Sequence, residues 1–222
     1  MLSTVFISAL GFIKMNRKEV IEKYISSIIE NYSEDKREEE ITQLLLENWS
    51  NVEGWTNLPG DLQREFSNEK LEGHFNDKKY DEILKFKLRD DIKGFTNEFL
   101  SEATGIVISS GSAFDLIACP CCGYKTLESR NEFEICKICW WEDDGQDNKH
   151  ADEIWGGPNY GVSLTQARHF YLTIGIYNPE QIDLKEIQED ADKFAIGRTF
   201  EIDGEYLIEQ TENWSGKIKT KT

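Results

Sequence analysis

The chain lacks the sequence patterns that accompany common catalytic sites. It contains no G-x-S-x-G elbow, no P-loop, no dinucleotide-binding fingerprint and no H-E-x-x-H pair. Only three histidines are present, at His74, His150 and His169. Enzyme activity therefore has no support at the level of individual residues, and we expect a non-enzymatic protein.

Basic residues are also scarce. Lysine and arginine number 25 against 42 aspartates and glutamates, which gives a formal net charge of -17 at pH 7. Nucleic-acid binding depends on basic side chains that displace counterions, so this charge disfavours a nucleic-acid partner. An acidic surface instead favours a basic protein partner. The 39% of hydrophobic and 12% of aromatic residues indicate a folded chain.

Cysteine is rare and confined to one place. All five cysteines lie within 21 residues, between positions 119 and 139. An odd number in so short a segment cannot form a disulfide framework for a chain of this size. We therefore expect reduced thiols and a cytoplasmic protein, since thiols stay reduced in that compartment.

The N-terminal segment is apolar but does not resemble a targeting sequence. Residues 1–13 are uncharged, too short to span a bilayer, and without the positive region and cleavage site of a signal peptide. No membrane association is expected. We predict that residues 1–14 form an arm or a strand, with residues 4–7 as the strand, and Met15 is an alternative natural start.

Helical periodicity follows this segment and extends to residue 104. Asn16 and Glu19 form a capping box in front of an apolar stripe, a second helix is predicted from Ser33 or Asp35, and a third covers residues 80–92. Residues 51–60 are predicted to form an irregular loop whose tryptophans pack on the bundle. Residues 1–104 are therefore predicted to be one mainly helical domain.

The pattern changes at Gly105, where we place the domain boundary. Residues 106–108 and 133–136 are predicted strands, and residues 127–132 an exposed link between the two cysteine pairs. A helix is predicted from the Ser163 capping box to Gly175, and another from Pro179 onward. Asp203 and Gly204 predict a hairpin turn within residues 200–208. We expect an α+β protein whose second domain, residues 105–222, combines a small module around the cysteines, flanking helices and a C-terminal β-hairpin.

Two C-x-x-C pairs separated by thirteen residues predict a metal site. Such pairs can place four thiolates at the corners of a tetrahedron, as a structural zinc ion prefers, so one zinc per chain is expected. Cys121 is an alternative ligand in place of Cys119 or Cys122, although the following glycine favours Cys122. A thiol redox or metal-handling role for Cys121 is a weaker alternative. The predicted ligands are Cys119, Cys122, Cys136 and Cys139.

Acidic residues follow the second cysteine pair. Their spacing does not match a calcium-binding loop, so we interpret them as a solvated loop or a partner-binding patch. Trp140 and Trp141 could stack on a base, but the acidic neighbours would repel phosphates, and at least one indole should be core. The residues predicted to bind a partner, here and in a second acidic segment, are Glu142, Asp143, Asp144, Glu186, Glu189 and Asp190.

Several of these motifs together resemble the bacterial cysteine-rich CPCC family. They are CPCCGYKTL at residues 119–127, ICKICWWEDDG at 135–145, GGPN at 156–159 and GVSLTQAR at 161–168. The resemblance covers about residues 117–175 and implies a small zinc-ribbon-like, bacterial, cytoplasmic module with no established catalytic activity. Lys137 stands where the second knuckle of the family usually has proline, which touches no expected ligand.

The composition and motifs together favour a protein that binds a basic protein. The most concrete version is an immunity protein that neutralises a secreted bacterial toxin, because a toxin that degrades nucleic acid has a basic cleft. The alternative is a nucleic-acid-binding zinc-ribbon regulator. The basic cluster that favours this alternative is Lys217, Lys219 and Lys221.

Overall fold

The structure is a computed structural model with two compact units. It describes residues 13–47, 49, 52, 54–204, 206–210 and 216–219. The first unit comprises Met1–Lys93 and Leu100–Ser112, and the second comprises Gly94–Phe99 and Ala113–Thr222. Helices and small sheets occur in one chain, which confirms the predicted α+β class. The predicted strand at residues 4–7 lies outside the described residues, and the domain division at Gly105 stays a prediction.

The first unit is mainly helical. Its helices bury their apolar stripes against one another, with Val20, Ile25, Ile41 and Leu44 among the fully buried side chains. The capping box of Asn16 and the N-cap of Ser33 are both confirmed. The helices, of which the last begins in the second unit, are α1 (Arg17–Glu30), α2 (Glu34–Leu46), α3 (Gly60–Ser67), α4 (Asp81–Asp91) and α5 (Asn97–Thr104).

A two-stranded parallel sheet completes the first unit. Strand β1 (Lys14–Asn16) pairs with β2 (Val107–Ser110). Strand β2 confirms the predicted β-branched strand, displaced by one or two residues. A parallel pair joins distant parts of the chain, so this pairing could not be read from local sequence.

The loop predicted over residues 51–60 is only partly irregular. Trp55–Asn57 forms one 3₁₀ turn and α3 begins at Gly60. Trp49 and Trp55 meet the ring of Phe86 edge-on, with centroids 5.9 and 6.1 Å apart, which confirms the predicted packing of the tryptophans. Sequence analysis missed α3 and α5 because both are short, with eight residues each.

Within its described residues, the second unit contains one complete α-helix and two small antiparallel sheets. Strand β3 (Ile117–Ala118) pairs with β4 (Lys125–Leu127), and helix α6 covers Leu164–Ile174. The Ser163 capping box and the left-handed Gly175 at the end of α6 are as predicted. A three-stranded meander follows, formed by β5 (Phe200–Asp203), β6 (Tyr206–Glu209) and β7 (Gly216–Lys219). The predicted hairpin is therefore confirmed, and strand β7 was not predicted from the sequence.

Three predictions of local structure in this unit were wrong. Residues 133–136 are not a strand, because Phe133 has a φ of 60° and Ile135 makes only an isolated bridge to Glu142. The predicted exposed link begins with Leu127, which is buried in β4. The segment Pro179–Ile187 is a kinked 3₁₀ helix, with irregular backbone at Gln181, instead of an α-helix.

Among the residues that the structure describes, no helix combines the length and the apolar character needed to cross a bilayer.

Candidate metal centre

Four cysteine thiols converge in the second unit. The Sγ atoms of Cys119 and Cys139 lie 3.6 Å apart, as do those of Cys122 and Cys136. All four sulfurs lie within 4.8 Å of one another, and all four residues are buried. The structure thus brings together the four residues that the sequence predicted as ligands.

The two cysteine pairs sit on turns of the same geometry. In the first, the Gly123 amide donates to the Cys119 carbonyl at 3.0 Å, and Gly123 has a φ of 84°. In the second, the Trp140 amide donates to the Cys136 carbonyl at 2.9 Å, and Trp140 has a φ of 67°. The residue after each C-x-x-C is therefore left-handed. Gly123 meets this requirement freely, whereas Trp140 adopts a conformation that costs a bulky residue strain.

Hydrogen bonds to sulfur stabilise negative charge at the cluster. The Cys121 amide donates to Cys119 Sγ at 3.4 Å, and Thr126 Oγ1 lies 3.1 Å from Cys136 Sγ. The amide of Cys121, in the first cysteine turn, therefore faces a sulfur. Thr126 is an additional polar neighbour that the cysteine spacing did not indicate.

Burial and mutual contact give the four thiols different pKa values. Burial raises the pKa values of Cys119, Cys122 and Cys139 well above the ordinary value. Burial also opposes ionisation of Cys136, but hydrogen bonds from the other three thiols and from Thr126 outweigh it and hold the pKa of Cys136 well below the ordinary value. Negative charges on four sulfurs this close repel one another, and a bound cation offsets this repulsion.

The donor set fits a tetrahedral metal ion. A Zn–S distance of about 2.3 Å places neighbouring sulfurs about 3.8 Å apart in a tetrahedron. Two sulfur pairs lie at 3.6 Å and none is separated by more than 4.8 Å. The four cysteines are therefore positioned to hold a metal ion. Cys121 is buried beside them but is not one of the four converging thiols.

The indole of Trp141 belongs to the core. Trp141 is fully buried and packs edge-on against Tyr177, with ring centroids 6.1 Å apart. This burial confirms that at least one of the paired tryptophans is a core residue. Trp141 cannot offer a stacking face to a base without unfolding its surroundings.

The segment 142–147 after the second cysteine pair, which we call the acidic loop, contains both buried and accessible carboxylates. Asp143 is fully buried, where its carboxylate accepts hydrogen bonds from Arg130 Nε and the Asn131 amide, both at 2.8 Å. Asp143 was predicted to face a partner, and its burial makes that prediction wrong. Glu142 and Asp144 are half-buried and remain at the surface.

The second predicted acidic patch begins with Glu186 in the 3₁₀ helix Pro179–Ile187 and continues into the segment after that helix. Glu186 and Asp190 are exposed, while Glu189 is half-buried and pairs with Lys193 at 2.5 Å. The amide of Glu189 also donates to the carbonyl of Lys137, within the second cysteine turn, at 2.9 Å. The structure therefore places this segment against the metal centre. The role of these residues in partner binding stays a prediction.

A cluster of arginines and carboxylates supports the first cysteine turn. Arg168, on α6, is fully buried and donates from Nε to the Pro120 carbonyl at 2.8 Å. Arg168 and Arg198 both lie over the Phe200 ring, at 4.3 and 5.2 Å from its centre. Arg198 in turn binds both oxygens of the buried Glu209. No local pattern indicates this cluster, because its members come from distant parts of the chain.

Asp147 also belongs to this cluster, and its ion pairs predict that the stability of the fold depends on pH. Its carboxylate accepts from Arg198 at 2.8 and 3.2 Å and from Arg130 at 3.1 Å. Burial would raise the pKa of Asp147, but the hydrogen bonds and charge of Arg198, with smaller contributions from Asn148 and Arg130, lower it to about 2. The unfolded value is about 3.9, so Asp147 stabilises the fold above about pH 4 and loses this effect as the pH falls towards 2.

Replacement of Asp147 by asparagine should therefore flatten the acid limb of the stability curve. We expect a loss of about 1 kcal/mol at neutral pH, a value reduced for solvent screening because the side chain is 42% exposed. Urea denaturation of wild type and D147N between pH 2 and neutral measures it. Asp183→Asn, at an exposed position, controls for the loss of a charge. Parallel curves for wild type and D147N would contradict the assigned role.

Comparison with known proteins agrees with this geometry. Residues 117–192 match the family model described as Cysteine-rich CPCC, a span that includes all four converging cysteines and α6. Searches of curated proteins and of solved structures found no match to the chain. The matched span extends beyond the residues whose motifs carried the resemblance, into the acidic segment that contacts the second cysteine turn. Residues 117–192 of this chain are therefore similar to the cysteine-rich CPCC family.

Proposed function

We propose that the chain is a non-enzymatic, zinc-stabilised protein that binds a basic protein partner. The observation that carries this proposal is a complete set of four buried thiols in a chain of net charge -17. The four thiols support the proposed metal, and the negative net charge supports the proposed basic partner.

The proposed metal is one structural zinc ion. Four thiolate ligands are typical of closed structural zinc sites, whereas catalytic zinc keeps a position for water or substrate. All four cysteines are at most 6% exposed, so a bound ion would have little access to solvent. The same metal requires reduced thiols, which favours a cytoplasmic location.

The proposed partner is basic, and an immunity protein acting on a secreted toxin is its most concrete form. A toxin that cleaves nucleic acid carries a basic cleft that an acidic protein can cover. Glu142 and Asp144 in the metal-bearing unit, and Glu186 and Asp190 near the second cysteine turn, are accessible carboxylates suited to this role.

The proposal predicts protection of cells and salt-sensitive association. Co-expression with a basic toxin domain encoded beside the gene of this chain should restore growth. The association rate of the purified pair should fall about tenfold or more between low and high salt, because exposed charges are screened beyond about 10 Å at 0.1 M salt. Stopped-flow mixing over a salt series measures the rate.

Charge reversal supplies the control for this experiment. Lysine at Glu142, or at Glu186 and Asp190, should slow association while the zinc content stays unchanged. Asp143 is left intact because its burial would confuse binding with folding. Tight, salt-sensitive binding of the wild-type chain to nucleic acid, without protection against any basic toxin, would contradict the proposal and favour a nucleic-acid-binding regulator.

A further inference from the structure

Three large apolar side chains are exposed in one loop of the second unit. In the segment 153–161, which we call the aromatic loop, Ile154 is 58% exposed, Trp155 is 48% exposed and Tyr160 is 68% exposed. Single exposed apolar residues are common, but three within seven residues of one loop favour a role in interaction.

The exposed tryptophan is held in one orientation. Trp155 Nε1 donates to Glu153 Oε2 at 2.9 Å, and the other carboxylate oxygen of Glu153 lies 3.0 Å from His150 Nδ1. The His150 and Trp155 rings also contact each other, with centroids 5.4 Å apart. A side chain fixed before binding loses little conformational entropy when a partner covers it, which suits Trp155 to a binding anchor.

The backbone of the aromatic loop is strained at its most exposed side chain. Tyr160 has a φ of 51°, in the left-handed region that a bulky residue rarely adopts. Glycines surround it, and Gly156, Gly157 and Gly161 also have positive φ values. Glycine at position 160 would relieve this strain, so the tyrosine ring is retained against local backbone preference.

Two buried amide side chains join the aromatic loop to the acidic loop. Asn159 Nδ2 donates to the Glu142 carbonyl at 3.0 Å and to Asp144 Oδ2 at 3.3 Å, and its Oδ1 accepts from the Glu142 amide. The Gln146 side chain donates to the Glu153 carbonyl at 2.9 Å, while the backbone amide of Gln146 donates to Asp144 Oδ1. Asn159 and Gln146 are almost fully buried, so the two loops form one surface.

This surface combines apolar anchors with negative charge. Glu142 and Asp144 flank the aromatic loop on the acidic side, and Glu153 is exposed at its start. Hydrogen bonds from Trp155 and His150 lower the pKa of Glu153, so it remains ionised. Lys149 is exposed close to Glu153, so the rim carries one lysine beside the carboxylates of Glu142, Asp144 and Glu153. An apolar centre with an acidic rim complements a segment with the opposite rim charge.

We infer that the aromatic loop and the acidic loop form the docking surface for a basic segment of a protein, one in which lysine or arginine flanks an apolar side chain. Trp155 and Tyr160 are the anchors, since these residue types dominate binding hot spots. Glu142, Asp144 and Glu153 pair with the basic side chains of the segment. This inference rests on the proposed function and names the surface that would carry it.

Selection from a displayed library of random short peptides tests this surface, with the full-length, zinc-loaded chain as bait. We expect enriched peptides in which lysine or arginine neighbours an aromatic or aliphatic residue. Synthetic copies of these peptides should bind W155A and Y160G at least about tenfold more weakly than wild type, the loss expected when a hot-spot aromatic is removed. Titration calorimetry measures the affinities.

Two features of the variants separate binding from folding. Tyr160→Gly should leave the unfolding temperature unchanged or higher, because it removes left-handed strain, so weaker peptide binding by Y160G cannot come from misfolding. Ile187→Ala is the matched control, since Ile187 is 65% exposed beside Glu186 and lies outside the proposed surface. I187A should bind the peptides as wild type does.

The outcomes distinguish this surface from the proposed function. Basic peptides that bind wild type, W155A and Y160G equally would overturn the surface and leave a basic partner in place. Failure to select basic peptides would also overturn the surface if the chain still protects cells from a basic toxin. Failure of both the selection and the protection test would overturn the surface and the proposed function together.

Discussion

Replacement of Cys136 by serine should release the bound metal and unfold the cysteine-bearing unit. Cys136 is one of the four converging thiols, its Sγ lies 3.6 Å from that of Cys122, and its thiolate accepts hydrogen bonds from several neighbours. Binding of structural zinc contributes on the order of 10 kcal/mol to the folding of small modules, more than most domains have to spare. Elemental analysis should find about one zinc per wild-type chain and almost none in C136S, with a lower unfolding temperature.

Two neighbouring cysteines provide the control for this prediction. Cys122 belongs to the converging group, whereas Cys121 is buried next to it without joining it. Cys122→Ser should therefore lose zinc and stability, and Cys121→Ser should keep both nearly unchanged, because serine fills almost the same volume. Zinc retained in full by C136S would refute the metal assignment. Loss of zinc from C121S together with its retention in C122S would move the ligand to Cys121.

Replacement of Gly123 by alanine should be among the most destabilising single-methyl additions in this unit. Gly123 has a φ of 84°, and its carbonyl accepts from the amides of Gly197 and Arg198 at 2.9 and 3.0 Å. A Cβ at this position would overlap the Arg198 carbonyl oxygen, which is backbone and cannot rotate away. Left-handed strain and overpacking together cost about 2–5 kcal/mol. Urea denaturation of G123A measures this loss, and a lower zinc affinity should accompany it.

A second glycine separates the cost of left-handed strain from the cost of overpacking. Gly161 has a φ of 74°, and a Cβ there would meet nothing within 4 Å. Gly161→Ala should therefore lose only the strain energy, about 1–2 kcal/mol. If both variants were destabilised equally, the close approach of residue 198 to the first cysteine turn would have no energetic importance.

Local sequence patterns predicted the parts of this protein that depend on neighbouring residues. The capping boxes of Asn16 and Ser163 and the turn at Asp203 were predicted because a side chain and a nearby amide, or two turn residues, determine each one. The two C-x-x-C pairs indicated their own convergence, since that spacing is typical of a tetrahedral metal site. Trp140 shows the limit of this approach. Nothing in its residue type predicts a left-handed conformation.

Only the tertiary structure decided which polar residues face solvent and which support the core. Asp143 and Asp144 are adjacent acidic residues, yet Asp143 is buried against Arg130 and Asp144 lies at the surface beside the aromatic loop. Arg168 supports the Pro120 carbonyl from a helix 48 residues further along the chain. Such pairings depend on where distant segments meet, and the burial of a charge is favourable only when its partner is already in place. The sequence by itself therefore determined the four converging cysteines and the helix ends, whereas the folded chain determined the arginine cluster and the accessible surface.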